Sequence, residues 1–390
     1  MDLTFTSEDE AFRREVVSWL GANLPAEWRD RGIGGFREDE DAEIQRQWHR
    51  RLYAGGWLTL GWSKESGGRG ASIVQQAIFQ EELARFGAPP ILGRNGVTMA
   101  APTINLMGTD WQKDTYIDRI LSCEEVWAQG FSEPDAGSDL ASLKTRAARV
   151  DGHWVLNGQK VWASHALHSQ RSFLLARTDP DAPIHHGIGF FIVDLEQPGV
   201  EIRPIRQMTG GQDFCEIFLG DAVVEDRDVL GSPTEGWRAA MTTFGFERGA
   251  LVSPKRYERV ADSLVELARE LGRGDDPLVR QAVAQAKIEA HTFRMNQLRA
   301  LTRYQQGAAP GPEASLTKLF WSEMHRRMQE TATSIQGPYA GLERGAEWSI
   351  DGGLWQDSWM WSFAETIYAG TSEIQRNIIA ERVLGLPRGR

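Results

Sequence analysis

The chain is poor in cysteine, in long apolar runs and in basic tracts. Its two cysteines, Cys123 and Cys215, are too few for a disulfide framework and show no metal-ligand spacing. No stretch approaches the roughly 18 consecutive apolar residues of a membrane helix, and the N-terminus lacks a basic segment followed by an apolar one. The sequence therefore predicts a cytoplasmic protein with no signal peptide, no membrane span and no metal site.

The charge balance argues against a further class of function. Lys and Arg total 43 and Asp and Glu total 54, which gives a net charge of −11. Because no basic stripe could follow a phosphate backbone, nucleic-acid binding is not expected. With 390 residues, 41% of them hydrophobic, the chain has the composition of an ordinary globular protein of two or three domains.

The first third of the chain has helical patterns. Ser7 and Glu10 form a predicted capping box at the start of one helix. Residues 73–86 form another predicted helix, which Gly87 and the prolines that follow should end. These patterns predict an N-terminal α-helical domain over residues 1–125.

The pattern changes to short strands near residue 126. Asp151-Gly152 and Asn157-Gly158 have the composition of two-residue hairpin turns, in which both positions take positive φ. The sequence therefore predicts a middle antiparallel β domain over residues 126–235. Its predicted strands are residues 146–150, 153–156, 159–163, 173–176, 189–193, 200–204 and 216–219.

Helical patterns return at residue 236 and continue to the C-terminus. They predict a C-terminal α-helical domain over residues 236–390, similar to a four-helix bundle. The fold class expected from the sequence is thus α+β and multidomain, in the order α, β, α. The predicted helices of the last domain are residues 257–271, 277–304, 315–336 and 373–384.

Residues 132–139, Ser-Glu-Pro-Asp-Ala-Gly-Ser-Asp, mix small, hydroxyl-bearing and acidic residues. Small residues let the backbone approach a ligand closely, and hydroxyl and free N–H groups can bind flavin edges and a pyrophosphate. Alone, such a segment is also typical of a polar surface loop with a proline turn. Together with Trp-Ala-Gln-Gly-Phe at 127–131, it resembles the flavin-contacting signature of the acyl-CoA dehydrogenase family.

Two further segments resemble the same family in the same order. Residues 158–165, Gly-Gln-Lys-Val-Trp-Ala-Ser-His, are similar to the family's Gly-x-Lys-x-Trp-Ile-Thr-Asn. Residues 367–376 are similar to its C-terminal Tyr-Glu-Gly-Thr-Ser-x-Ile-Gln-Arg. The resemblance covers essentially the whole chain and implies FAD between the β domain and the C-terminal helices. The cofactor contacts it implies are Gln129, Phe131, Ser132, Gly137, Ser138, Trp162, Ser164, Thr371 and Glu373.

The resemblance also identifies a candidate base. Many members carry a glutamate before the glycine of the third segment, where this chain has Ala369. Glu247-Arg248 is similar to the alternative position of the base in other members, so Glu247 is the predicted general base. Its alternative interpretation is a glutamate at a helix N-terminus that stabilises the helix dipole. The predicted substrate contacts are Ser138, Arg248, Ala369 and Gly370.

The implied reaction is desaturation of an acyl-CoA thioester. In the family, a ribityl hydroxyl and the backbone N–H at position 369 stabilise the enolate as the base removes the α-proton, and a hydride leaves Cβ for flavin N5. Ala369 and nearby Gly245 leave space beside the α-carbon, which favours a branched or bulky acyl group. An electron-transfer flavoprotein is the implied acceptor, and an oxidase that reduces O₂ is an alternative.

Two departures concern a neighbouring subunit. The family's Arg-x-x-Phe-Gly motif, which reaches a neighbour's FAD, is absent near residues 270–277. Arg273 is either a substitute for its arginine or an ordinary turn residue. The Gln-x-x-Gly-Gly loop is altered at residues 334–338. This pattern resembles the α2β2 members with a paralogous subunit, although a homodimer or homotetramer stays open. A non-catalytic partner subunit is the remaining alternative.

Overall fold

The structure is a computed structural model that describes residues 5–29, 38–249, 252–308 and 311–388; the side chains of residues 38–40, 248 and 249 lie outside that description. Helices occupy both ends of the chain and a β-sheet lies between them, as the sequence predicts. The helices are α1 (Ser7–Asn23), α2 (Glu38–Ala54), α3 (Ile73–Arg85), α4 (Ala101–Met107), α5 (Asp110–Leu121), α6 (Gly236–Gly249), α7 (Pro254–Glu270), α8 (Pro277–Gln305), α9 (Ala314–Gln336), α10 (Leu354–Glu365) and α11 (Ser372–Ile378).

The capping box of the first helix lies one residue earlier than predicted. The Thr6 hydroxyl accepts a hydrogen bond from the Asp9 backbone N–H, and the Asp9 carboxylate accepts one from the Thr6 backbone N–H. The prediction of Ser7 with Glu10 was therefore wrong, because threonine and aspartate with the same spacing form the box. One face of α1 is buried, with Phe12, Val16 and Leu20 in the core.

The central sheet is mixed rather than wholly antiparallel. Its strands are β1 (Trp127–Gly130), β2 (Arg146–Val150), β3 (His153–Ser164), β4 (Arg171–Arg177), β5 (Ile188–Asp194), β6 (Val200–Ile205) and β7 (Phe214–Glu225). Their spatial order is β1-β4-β2-β3-β7-β6, with β5 paired to β4, and β1 runs parallel to β4. The sequence pattern missed β1 because its four residues lie inside the first motif.

Only one of the two predicted hairpin turns is present. Asp151 and Gly152 have φ of 49° and 88° and join β2 to β3 as expected. Asn157-Gly158 does not turn; it lies within β3, where the register against β7 shifts. The Asn157 side chain instead bonds Asp221 across the two strands, which removes the predicted break between residues 156 and 159.

The C-terminal helices pack around one apolar core. Residues of α7, α8 and α9 form it, with Tyr257, Phe293 and Trp321 among the largest buried side chains. The sequence did not predict α10, whose tryptophans are not arranged on a single apolar face. None of the helices in the described ranges combines the length and the apolar character needed to cross a bilayer.

Candidate active site

The motif at residues 132–139 folds as a tight turn at the end of β1. Glu133 and Ala136 exchange backbone hydrogen bonds of 2.9 and 3.1 Å, with Pro134 at the tip. Gly137 and Ser138 follow, both exposed, and their N–H groups donate to no residue of the described chain. Adjacent free N–H groups of this kind suit an anionic ligand such as a pyrophosphate.

A buried ion pair anchors this turn to the sheet. The Lys160 ammonium lies 2.7 Å from Glu133 Oε1 and is fully buried. Burial opposes the Glu133 carboxylate, but Lys160 and the N–H groups of Lys144 and Thr145 outweigh it and hold the pKa of Glu133 below its usual value. Burial lowers the pKa of Lys160 to about 8, so both groups are charged at pH 7.

Just beyond this pair, β3 bulges and presents a tryptophan to solvent. Trp162 has φ of +60°, which is strained for a bulky residue, and 57% of its surface is exposed. Val161 N–H bonds the Ser132 carbonyl, so the bulge and the turn are held together. Ser164, half-buried, lies where the strand regains its register with β7. The bulge thus offers a flat, exposed indole beside a hydroxyl.

Aromatic contacts join this part of the sheet to the C-terminal helices. The Phe131 ring is only 4% exposed and packs edge-on against Phe244 of α6, with ring centroids 5.5 Å apart. Trp162 packs edge-on against Phe214, which stacks on Trp361 of α10 at 5.7 Å. Because the Phe131 ring is buried, a cofactor could contact this residue only through its backbone. Gln129 is half-buried on β1.

The third motif forms a strained turn between α10 and α11. Ala369 has φ of +53° and Gly370 has φ of +91°. The Gln375 side-chain amide donates to the Ala369 carbonyl at 2.9 Å and to the Gly370 carbonyl at 3.4 Å. The Ala369 N–H, by contrast, donates to no described residue. The turn therefore holds one backbone donor ready for a ligand.

Two predicted cofactor contacts follow on α11. The Thr371 hydroxyl caps the helix by accepting from Ile374 N–H at 3.2 Å. Glu373 is exposed in the first turn, where its own backbone and the Thr371 hydroxyl lower the pKa of the carboxyl. Both side chains lie at the surface of the turn that presents Ala369.

Glu247 lies in the last turn of α6, so its interpretation as a helix N-terminal residue is wrong. The negative end of the helix dipole disfavours a carboxylate there, and the dipole does not explain the residue. Its side chain is half-buried, and its charge acts on Lys318 of α9 and on Tyr368, the residue before Ala369. The predicted base therefore lies near the third motif. The side chain of Arg248 falls outside the described residues.

Lys318 is a site residue that the sequence did not reveal. Its ammonium is buried and has no hydrogen-bond partner in the part of the chain that the structure describes. Burial lowers the pKa of Lys318 to about 8, although Glu365, Glu323, Glu373 and Glu247 all act to raise it. Lysine in an amphipathic helix pattern is usually an ordinary surface residue, so no sequence signal marks it.

A buried pair supports the end of α10 beneath the strained turn. His325 Nδ1 lies 2.5 Å from Glu365 Oε2, and both side chains are at most 2% exposed. The side-chain nitrogen of Gln329 lies 2.9 Å from the other His325 ring nitrogen. Because Glu365 is the last residue of α10, this network fixes the point from which residues 366–371 leave the helix.

The residues present fit the predicted flavin. Trp162 offers an exposed ring for one face, and the free N–H groups of Gly137 and Ser138 suit phosphate oxygens. Ser164 can donate or accept at a ring nitrogen. The structure brings the first two motifs together through Glu133 and Lys160, and it brings Glu247 close to the third.

Comparison with known proteins gives matches along the whole chain. The family models described as acyl-CoA dehydrogenase N-terminal, middle and C-terminal domains match residues 6–124, 128–222 and 234–384. The chain is 42% identical to acyl-CoA dehydrogenase IpdE1 of Mycolicibacterium smegmatis, over 98% of both chains. It is 42% identical to IpdE1 of Mycobacterium tuberculosis, over 97% of this chain and 98% of that one.

Solved structures match equally fully. One, titled Tcur3481-Tcur3483 steroid ACAD, has a TM-score of 0.87 and 31% identity, with 100% of each chain covered. The ChsE4-ChsE5 complex from Mycobacterium tuberculosis has a TM-score of 0.86 and 30% identity, also with 100% of each chain covered. Both titles name two different components.

Proposed function

The chain belongs to the acyl-CoA dehydrogenase family, whose members are flavoproteins, and on that premise we propose that it is an FAD-dependent enzyme that desaturates a bulky acyl-CoA thioester with Glu247 as general base. The observation that supports this most is the position of Glu247. Its half-buried carboxylate interacts with Tyr368, next to the free Ala369 N–H, in a chain that lacks the usual glutamate at position 369.

The cofactor would lie against the bulge of β3. Trp162 would cover one face of the ring, Ser164 would bond its N5 edge, and the N–H groups of Gly137 and Ser138 would hold the pyrophosphate. Gln129, Ser132, Thr371, Glu373 and the Phe131 backbone are the remaining proposed contacts. When bound, FAD supplies the acceptor for the β-hydride.

The chain's own chemistry is removal of the α-proton. A thioester α-proton is too weakly acidic for an unassisted carboxylate, so the developing enolate oxygen must be stabilised. The Ala369 N–H is the donor that this chain provides, since the strained turn leaves it unpaired. Glu247 then takes the proton as general base, and Ser138, Arg248 and Gly370 are proposed to contact the bound thioester.

Gln375→Met is expected to lower kcat about tenfold with little change in flavin binding. The substitution removes both amide hydrogen bonds that hold Ala369 and Gly370 in the left-handed conformation. The Ala369 N–H is then no longer held in the direction of the enolate oxygen. Steady-state kinetics and flavin absorbance check this. Gln285→Met on the outer face of α8 is the control; an unchanged kcat in Gln375→Met would show that the turn does not depend on the amide.

Lys318→Met is expected to shift the ascending limb of the pH profile of kcat/KM to higher pH, by on the order of one unit. The Lys318 charge stabilises the Glu247 carboxylate and is present below about pH 8, the pKa to which burial lowers this lysine. The difference from wild type should therefore disappear above pH 8. Lys318→Arg keeps the charge and should keep the limb in place. Identical limbs in wild type and Lys318→Met would contradict the interaction.

A bulky acyl group is the proposed substrate class. Ala369 and Gly245 carry little side-chain volume near the proposed α-carbon position. Apart from its own helix backbone and chain neighbours, no described residue has an atom within 4 Å of where a Cβ of Gly245 would lie. The related structure whose title calls it a steroid ACAD supports the same class. An acyl-CoA panel assayed with ferrocenium tests it. If straight-chain thioesters exceed branched and polycyclic ones tenfold in kcat/KM, this part of the proposal is wrong.

A paralogous subunit is the proposed partner, in an α2β2 assembly rather than a homodimer or homotetramer. Arg273 donates to the carbonyls of Ser334 and Ile335 and pairs with Asp276 at 2.6 Å. It therefore caps the C-terminal end of α9 in its own chain, where its side chain is engaged rather than a free turn residue. The two related structures titled with two components support the same assembly.

Because the Arg-x-x-Phe-Gly motif that reaches a neighbour's FAD in the family is absent from this chain, a co-catalytic or non-catalytic subunit is the second candidate function. Spectra of the purified chain, alone and with the product of the neighbouring gene, distinguish the two. A yellow protein that acyl-CoA bleaches anaerobically is a dehydrogenase subunit with its own site. A colourless protein that only completes its partner's activity is not. Slow reoxidation in air and fast reoxidation by electron-transfer flavoprotein would identify the proposed acceptor and exclude an oxidase.

A further inference from the structure

The surroundings of Tyr368 contain charged groups besides the proposed base. Its hydroxyl is acted on by Glu365, Arg256, Arg94 and Glu247, which come from four different segments of the chain. Although 40% of the residue is exposed, loss of water around the hydroxyl is the largest cause that raises the pKa of Tyr368, followed by Glu365. Charged groups therefore lie near Tyr368 in addition to the proposed base.

Arg256, in the first turn of α7, is one of these charged groups, and its guanidinium makes only long contacts. Its guanidinium lies 3.9 Å from Glu365 Oε1, beyond hydrogen-bond distance, and 5.9 Å from the centroid of the Tyr257 ring. Its Nε is buried and has no acceptor among the residues described. A guanidinium with unused donors in such a place retains capacity to bind a ligand oxygen.

Arg94 approaches the same tyrosines from the N-terminal domain. It lies two residues before the helical turn Gly96–Ala100, which packs against α6, and its side chain is exposed. Its charge acts on the hydroxyls of both Tyr257 and Tyr368. Within the described ranges its guanidinium forms no hydrogen bond and no ion pair. Arg94 is thus a free cation at the edge of the proposed acyl site.

A hydrocarbon acyl chain in this place would bury donors without providing acceptors. Leaving such donors unsatisfied costs binding energy, whereas an oxygen on the acyl group would accept from them. We propose that the substrate is an oxygenated acyl-CoA, with a ketone or carboxylate oxygen on its acyl group in addition to the thioester oxygen, and that Arg94, with Arg256 and Tyr368, binds this further oxygen. The proposal rests on the proposed function and specifies its substrate class.

The test compares three cyclic acyl-CoA thioesters of the same ring size: unsubstituted, with a ring ketone, and with a ring carboxylate. The flavin-loaded protein, with its partner subunit where loading requires it, should favour at least one oxygenated substrate over the unsubstituted ring by about 10–100-fold in kcat/KM. A preference for the carboxylate assigns an ion pair to Arg94, and a preference for the ketone assigns a hydrogen bond from its guanidinium to an uncharged acceptor.

Arg94→Met should remove most of that preference and leave turnover of the unsubstituted ring within threefold of wild type. Arg203→Met, on the exposed face of β6, is the charge-matched control, and flavin absorbance with thermal unfolding verifies the fold. Equal loss on all three substrates, or no preference in wild type, would overturn the proposal. If none of a wider acyl-CoA panel bleaches the flavin, the proposed function itself fails, which is a separate outcome.

Discussion

Glu247→Gln is expected to abolish anaerobic bleaching of the flavin by acyl-CoA, with a loss of about 10²–10⁴-fold in the rate of reduction. Glutamine has nearly the same shape as glutamate but does not accept a proton at neutral pH. Because Glu247 is only half-buried in the last turn of α6, the fold and the flavin spectrum should persist. Stopped-flow absorbance at the flavin maximum measures the effect.

Glu266→Gln provides the control, since that residue lies exposed on the neighbouring helix α7. A second variant, Glu247→Gln combined with Ala369→Glu, moves the carboxylate to the position that many family members use. Partial recovery of bleaching in the double variant is the expected result. Bleaching at the wild-type rate in Glu247→Gln alone would assign the base to another residue.

Lys160→Met is expected to lower the free energy of unfolding by about 3–5 kcal/mol, because it leaves the buried Glu133 carboxylate without its counter-charge. The turn at residues 132–139 and the bulge at Trp162 both depend on this pair, so flavin affinity should fall as well. Urea unfolding of the flavin-free protein and titration with flavin measure the two effects separately.

The same turn offers a matched control. Lys144 and Asp135 form an ion pair at 3.1 Å with side chains 74% and 76% exposed. Lys144→Met should cost no more than about 1 kcal/mol, since exposed pairs contribute little. Lys160→Met combined with Glu133→Gln should cost less than the sum of the two single changes, because no unpaired buried charge remains. A cost below about 1 kcal/mol for Lys160→Met would show that the pair does not hold the turn.

Hydrophobic periodicity was enough to predict the order α, β, α, because that order depends on local patterns. It predicted the bounds of β2 correctly and placed most other predicted elements within a few residues of their observed bounds. It failed where tertiary contacts overrode local preference. The Asn157 side chain bonds Asp221 on the neighbouring strand, which keeps β3 continuous through a pair of residues that usually turns.

The candidate site was predicted in part for a similar reason. The three motifs revealed their residues because ligand contact demands unusual local composition. The sequence did not reveal Phe214, Trp361 and Lys318, because their roles arise only when segments that are distant along the chain meet. Glu247 was identified by resemblance, but its place at the end of α6 depended on where that helix begins, and the sequence carries no clear cap at Gly236.

A crystal structure of the protein with FAD and a non-oxidisable acyl-CoA analogue tests the central claim most directly. A Glu247 carboxylate oxygen should lie about 3–3.5 Å from the α-carbon, on the face of the acyl group away from the flavin, with the thioester oxygen accepting from Ala369 N–H. A Glu247 side chain turned to solvent, with another residue in contact with the α-carbon, would contradict the claim.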